Sequence, residues 1–366
     1  MKVKHLLMSV ALFSSLLSGA SLTSAFGRVT ERAHTGEVQQ TVPVEPNVIV
    51  SLCIASGSIN VRGWDRNEVQ ARSADAETIE LRRASANAAG PASRIEVLIA
   101  DPAEGPRARA GSCTAFSDVE LNVPRGAIVQ LQTRDGDITV ADVAEARVEA
   151  QSGDINLEHV SRLAEARALS GDITLKDSSG RVQLGSVSGS VEATNVRSIT
   201  AGDDFEAGTV SGDVILKEVN HAQVHAKSVS GSLNLTGALV RGGRYDFKTM
   251  SGDVLFNMPA DSSFKVNAKV SHGGEIVSDF TITPTEEPPR PGAVNTPNPP
   301  TPPAPKPAPA PRPAPSASAS ASGEGEWASS SSSSSRGLER LNGIYGTGDA
   351  TLNLASFSGT VYLRRR

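Results

Sequence analysis

Aromatic residues are scarce: two Trp, three Tyr and nine Phe make up 4% of the 366 residues. Sugar-binding grooves often present exposed Trp and Tyr as platforms, and this chain has few to offer. Surplus positive charge is missing too. The net charge is −5, and removing Lys2 and Lys4 with an N-terminal leader takes it to −7. Nucleic acid is therefore excluded as the expected partner, because phosphate binding needs clustered Lys and Arg. The chain contains no GxSxG, CxxC or phosphate-loop pattern, so no catalytic residue, metal or cofactor is expected.

Long apolar runs are absent beyond the first residues. There, Lys2 and Lys4 precede an apolar run from Leu6 to Leu17, and Thr23-Ser24-Ala25 supplies small residues for cleavage. The run is too short to span a membrane and reads as a secretory signal over residues 1–25. No cysteine adjoins the cleavage site, so no lipid anchor is expected there. The expected mature chain starts near Phe26. It is exported, to the periplasm, cell surface or exterior, without a transmembrane segment. Only two cysteines occur, Cys53 and Cys113. Export favours pairing them as a disulfide; the alternative is two separate buried thiols.

What the chain has in abundance is one short phrase. It reads QSGDINL at 151–157, LSGDITL at 169–175, VSGSVEA at 187–193 and VSGDVIL at 210–216. VSGSLNL follows at 229–235, MSGDVLF at 250–256 and FSGTVYL at 357–363, with looser copies at 135–140 and 56–61. The glycines Gly136, Gly153, Gly171, Gly189, Gly212, Gly231 and Gly252 lie 17, 18, 18, 23, 19 and 21 residues apart. Gly359 opens the last copy. Two and four residues after each glycine the side chain is apolar, as in Ile138/Val140, Ile155/Leu157 and Val254/Phe256. A second alternation precedes the glycine, as in Ala146/Val148 and Tyr245/Phe247. Period-two alternation marks strands with one buried face.

A unit of two strands in about twenty residues cannot bury its apolar face alone, but stacked units can. The pattern predicts an all-β, single-stranded parallel β-helix, right-handed, with an irregular N-terminal β cap. Residues 26–130 should form the cap and first coils, and 131–282 the regular repeats. Residues 283–340, rich in Pro, Ala and Ser, have too few apolar groups to fold and should be a disordered loop. Residues 341–366 carry one more repeat and should return to cap the solenoid.

The glycines are expected at turns, where a positive φ is needed. Asp137, Asp154, Asp172, Asp213 and Asp253 would stack along the same corner. Their bland role is to accept hydrogen bonds from turn N–H groups; the ambitious one is a calcium ladder, which needs six to eight oxygens per ion. Ser190 and Ser232 interrupt the column, and that favours the first. His221 and His225 read HxxxH, but on a strand they would sit roughly 13 Å apart, too far to share a metal. A polar outer face carrying Thr139, Asn156, Thr174, Glu192 and Asn234 is the expected place for ligand contacts. Arg125, Arg134, Arg147, Arg162, Arg167 and Arg181 would matter only if they cluster with carboxylates.

The Ser-Gly-Asp/Ser units behind a signal peptide, with the opening SGSINVRGWDRNEV at 56–69, resemble a bacterial adhesin-like family of unknown function, the DUF4097 type. The resemblance covers residues 48–282 and 341–363. It implies a parallel β-helix, an extracytoplasmic setting and no established activity. The expected function is a non-catalytic binding or scaffolding protein of the envelope, with a polysaccharide or protein ligand. The alternatives are a polysaccharide lyase or hydrolase on the same scaffold, and a self-assembling scaffold stacked end to end.

Overall fold

The computed structural model describes residues 38–76, 78–83, 90–100, 113–285 and 338–366. The expected signal peptide and residues 286–337 of the Pro/Ala/Ser-rich tract lie outside the described residues. The chain forms an all-β solenoid. The N-terminal part contributes β1 (Val38–Ser56), β2 (Ile59–Trp64), β3 (Glu68–Ser73), β4 (Thr78–Arg83), β5 (Ala92–Ala100) and β6 (Val119–Pro124).

Seven coils follow, each a pair of strands meeting at a Ser-Gly corner (Asp-Gly in the first). They are β7 (Ile128–Asp135) with β8 (Ile138–Ala141), β9 (Glu145–Ser152) with β10 (Ile155–Glu158), and β11 (Leu163–Ser170) with β12 (Ile173–Lys176). Then come β13 (Arg181–Ser188) with β14 (Val191–Arg197), and β15 (Asp204–Ser211) with β16 (Val214–Asn220). The last two are β17 (Gln223–Ser230) with β18 (Leu233–Thr236), and β19 (Arg244–Ser251) with β20 (Val254–Met258). The C-terminal part adds β21 (Phe264–Val270), β22 (Ile276–Ser278), β23 (Thr283–Pro284), β24 (Glu339–Tyr345), β25 (Ala350–Ser358) and β26 (Val361–Arg365).

Odd-numbered strands of the regular coils pair in parallel into one sheet and even-numbered strands into another. Both interior alternations of the sequence are buried: Ile138, Ile155, Ile173, Val191, Val214, Leu233 and Val254 form one ladder in strict register. Val148, Ala166, Leu184, Ala207, Ala226 and Phe247 form a ladder from the facing sheet. Identical spacing in every unit makes like residues stack, so the core is continuous. The extra residues before Gly212 form a turn between β14 and β15. Asp203 accepts hydrogen bonds there from the N–H groups of Ile199 and Thr200, both at 2.8 Å.

The coils at the two ends are not threaded in sequence order. Strand β1 pairs with both β5 and β7, and β2 with both β6 and β8. The first coil by sequence therefore lies one in from the end, and the β5–β6 coil is outside it. The C-terminal end repeats this. Strand β25 lies between β19 and β21, and β26 between β20 and β22. The final repeat was expected to cap the solenoid; it is instead inserted into the stack. Capping falls to antiparallel strands. At one end β4 covers β5, and β3 covers β6. At the other β24 covers β21, and β23 covers β24. A parallel coil leaves its last edge as a template for another coil; an antiparallel strand takes up that edge and ends the coil geometry.

Candidate binding surfaces

The repeated phrase resolves into one task per residue. The repeat glycines from Gly136 to Gly252 have positive φ, from 116° at Gly153 to 159° at Gly189; Gly359, expected to share it, does not, and is needed there only for close approach to the Gly252 carbonyl. A Cβ on Gly171 would sit 2.0 Å from the carbonyl oxygen of Gly153, and one on Gly231 would sit 1.9 Å from that of Gly212. The glycine column is needed for close approach between coils as well as for the turn.

The aspartate after the glycine bonds to the next coil rather than within its own turn. Asp137 Oδ1 accepts from the N–H of Asp154 at 2.8 Å, and Asp154 from Asp172 at 2.8 Å. Asp172 accepts from Ser190, Asp213 from Ser232 and Asp253 from Thr360, each at 2.7 Å. One oxygen of each carboxylate is thus committed to a backbone donor.

Three residues before the glycine, a small hydroxyl points inward. Ser186, Thr209, Ser228, Thr249 and Ser356 each donate to the carbonyl of the glycine one coil below, at 2.8–3.3 Å. Each hydroxyl thus supplies a protein donor to a corner carbonyl.

A second corner was missed by the sequence reading. Six residues after the glycines from Gly136 to Gly212 stand Asp142, His159, Asp177, Asn195 and Glu218, all with φ between 47° and 60°. Gly63 and Gly237 occupy the same offset. Asn, Asp and His tolerate this left-handed conformation better than most residues. The constant offset of six was the available signal. Glu158, His159 and Asp177 bring one ligand atom each within 4.8 Å of one another, all three residues exposed. Asp142 lies 3.8 Å from His159 Nδ1, and Asn195 Nδ2 donates to Asp177.

His221 and His225 part company. His221 lies in the connection between β16 and β17, not on a strand, and is fully buried. Its Nε2 bonds the Gly180 carbonyl at 2.8 Å and its ring meets Phe205 edge-on at 5.5 Å. Burial pushes its pKa below the usual histidine value, against the Gly180 carbonyl and the charges of Asp203 and Asp204. His225 faces outward beside Asp246 at 3.4 Å. Burial would raise the Asp246 carboxyl, but hydrogen bonds from Arg244 and Asn353 and nearby positive charge hold it below the usual value.

Thr139, Asn156, Thr174, Glu192 and Asn234 stack on the outer face of the even-strand sheet, with Glu192 paired to Lys217 at 2.7 Å. A concave surface lies on the other sheet. A groove of about 330 Å³ crosses the outer faces of β5, β1, β7, β9 and β11, lined by Glu96, Gln130, Gln132, Arg147, Glu149 and Arg167 among others. Its charges pair closely within a strand and more loosely between coils. Arg147 meets Glu145 at 3.1 Å and Glu165 at 3.8 Å; Arg167 meets Glu165 at 2.8 Å and Glu149 at 3.7 Å. Gln132 donates to Glu149 at 3.0 Å. A disulfide between Cys53 and Cys113 sits beside the groove, which continues past it to Leu169 and Val187.

Residues 117–287 match the Toastrack DUF4097 family. The Toastrack match spans the regular coils and stops short of β1–β5 and β24–β26. A solved structure titled "putative cell adhesion protein", from Clostridium sporogenes ATCC 15579, aligns over 90% of this chain and 100% of that chain. Its identity is 9% and its TM-score 0.22. No curated protein matches the chain. No helix among the described residues is long and apolar enough to cross a membrane.

Proposed function

We propose that this Toastrack protein is an exported, non-catalytic, adhesin-like binding or scaffolding protein of the cell envelope. The observation that carries this is the groove over β5, β1, β7, β9 and β11. Each of its arginines is neutralised by a glutamate of its own strand and, at longer range, by one of a neighbouring coil. A general acid or nucleophile needs a group free to exchange a proton or attack. Here the same carboxylates hold arginines and amides in a fixed array, which suits recognition of a polar ligand by many hydrogen bonds. The disulfide supports an extracytoplasmic setting. The glycine and aspartate columns serve architecture in this proposal, because each Asp already caps a backbone donor of the next coil.

The test is co-sedimentation of the mature chain with isolated envelopes and acidic polysaccharides, assaying the pellet for protein and the supernatant for sugar fragments. Protein in the pellet, lost on Arg167→Ala, without released fragments, is the expected result. Fragments appearing in step with protein overturn the non-catalytic assignment. Arg147 and Arg167 would then be tested as part of a lyase site.

A further inference from the structure

One residue of the repeat has no task in the solenoid. It stands two positions before each glycine: Leu169, Val187, Val210, Val229, Met250 and, in the last repeat, Phe357. These side chains are apolar and 41–57% exposed. The strand registers place them in direct succession. Ser170 pairs with Ser188, Ser188 with Ser211, Ser211 with Ser230, Ser230 with Ser251, and Ser251 with Ser358. The result is an apolar ridge over six adjacent coils, about 24 Å long at about 4.8 Å per coil. Phe357, at the end of the ridge, also packs on the His272 ring at 4.3 Å. Nothing inside the fold requires the other five: polar residues stand at this position in the earlier coils, Arg134 and Gln151.

The ridge is bordered differently on its two sides. Two residues earlier on each strand lie Arg167, Gly185, Gly208, Lys227 and Lys248. Three residues later, at the corner, lie Asp172, Ser190, Asp213, Ser232 and Asp253. Cations run along one flank and carboxylates along the other. Gly185 and Gly208 are neighbours in adjacent strands. Neither has positive φ, and a Cβ on Gly185 would meet nothing within 4 Å. The fold does not need these glycines, and glycine inside a strand often marks where another backbone comes close.

The geometry points to a second copy of this chain as the occupant, docked ridge on ridge about a two-fold axis that runs along the ridge. A rotation about that axis lays the cation flank of one copy over the carboxylate flank of the other. Arg167 then faces the partner copy's Asp172 corner, and Lys248 its Asp253 corner. Gly185 and Gly208 open room for the corners at Ser190 and Asp213. A two-fold across the ridge would instead set cations on cations. The surface is thus self-complementary in one orientation only, as an isologous interface must be.

Other occupants fit worse. The strands carrying the ridge are paired on both sides by neighbouring coils, so no partner strand can add to them. The carboxylate flank repels an anionic surface. Arg167 and Lys227 also touch Glu165 and Glu206 of their own sheet, but exposed pairs of that kind are weak. Six half-exposed side chains supply only a few hundred Å² of apolar surface. The charged flanks are needed to approach the roughly 800 Å² per partner of a stable interface. A reversible, concentration-dependent dimer is the expected state.

The experiment is sedimentation velocity on the mature full chain over a concentration series, at low and high salt. The expected result is a dimer that weakens with salt and with Lys248→Glu, and is lost in Val210→Lys. Melting curves would show that these outward-facing variants stay folded. Cysteine cross-linking fixes the axis. With the two-fold along the ridge every ridge residue meets its own counterpart, so Leu169→Cys and Met250→Cys should each form an inter-copy disulfide under mild oxidation. A monomer at every concentration overturns the inference. So does cross-linking only in a mixture of Leu169→Cys and Phe357→Cys chains, which would mark the other axis. A monomer that binds anionic vesicles, and loses them on Val210→Lys, would reassign the ridge to a lipid surface.

Discussion

At the residue scale, glycine and aspartate in the corner do different work, and substitution should separate them. Gly171→Ala places a methyl 2.0 Å from the Gly153 carbonyl at a φ of 143°. Strain and backbone displacement together should cost on the order of 2–4 kcal/mol. Gly185→Ala is the matched contrast. It has open space and should raise monomer stability by about 0.5–1 kcal/mol. Urea midpoints of the two variants should move in opposite directions, and equal losses would refute the close-approach account. Asp172→Ala leaves the Ser190 N–H without its acceptor at an exposed corner, a loss of about 1 kcal/mol. Asp172→Asn keeps an acceptor and should lose less.

His221 gives the fold a pH dependence that can be read in the same way. Its folded pKa lies below the ordinary histidine value, chiefly through burial. The unfolded chain therefore binds its proton first, and stability falls as pH drops below about 6.5. Asp75, Asp203 and Asp246 are also held low. Burial opposes this in each, and hydrogen bonds from neighbouring side chains or backbone outweigh it. Their contributions persist to lower pH and fade only as it falls through the carboxylate range. Urea midpoints at pH 7.5 and 5.5 should differ in the native chain, and the difference should shrink in His221→Gln. An unchanged slope in that variant would remove His221 as the cause.

At the element scale, the strands were legible in the sequence because the period is short and the interior positions recur at fixed offsets. Ile155/Leu157 and Ala164/Ala166 need no tertiary information to be assigned to a buried face. Order in the stack was not legible. The repeat around Gly359 reads like every other repeat, and nothing in FSGTVYL shows whether it ends the stack or enters it. That depends on β21 and β24, whose antiparallel pairing has no local signature. The apolar ridge was visible as letters, in VSG, MSG and FSG, but alternation assigned meaning only to the inward side chains.

The insertion of β25 makes a prediction about the chain that connects it. Pro284 pairs with Gly343, and β24 begins at Glu339. The departure and return points are thus about four strand residues apart, roughly 13 Å. Replacing residues 287–336 with about ten Gly and Ser residues should leave the melting temperature within a few degrees, since shortening a loop changes closure entropy only slowly. Ending the chain at Pro284 should do the opposite. It removes β25 from between β19 and β21, and the C-terminal coils should lose amide protection in hydrogen exchange.

At the scale of the whole molecule, the solenoid covers three of its four terminal sheet edges with antiparallel strands; among the described residues β22 pairs only with β26. A stack of parallel coils would propagate from one copy into the next if its last edge were bare. Here the end-to-end assembly weighed from the sequence meets β3 and β4 at one end and β24 with β23 at the other. On the odd-strand sheet the cover over β21 is β24, in which Leu341 pairs with Ala268 and packs against the core. Leu341→Pro removes a backbone donor toward β21 and breaks β24 as a strand, while the coils beneath keep their own ladders. The bared β21 should then template the next copy, giving concentration-dependent growth of long assemblies in light scattering. A Leu341→Ala control, which loses packing but keeps the strand, should stay dispersed. If both variants aggregated alike, lost packing rather than an open edge would be the cause. If Leu341→Pro stayed dispersed while hydrogen exchange showed β24 detached, the antiparallel cover would not be what keeps the ends apart.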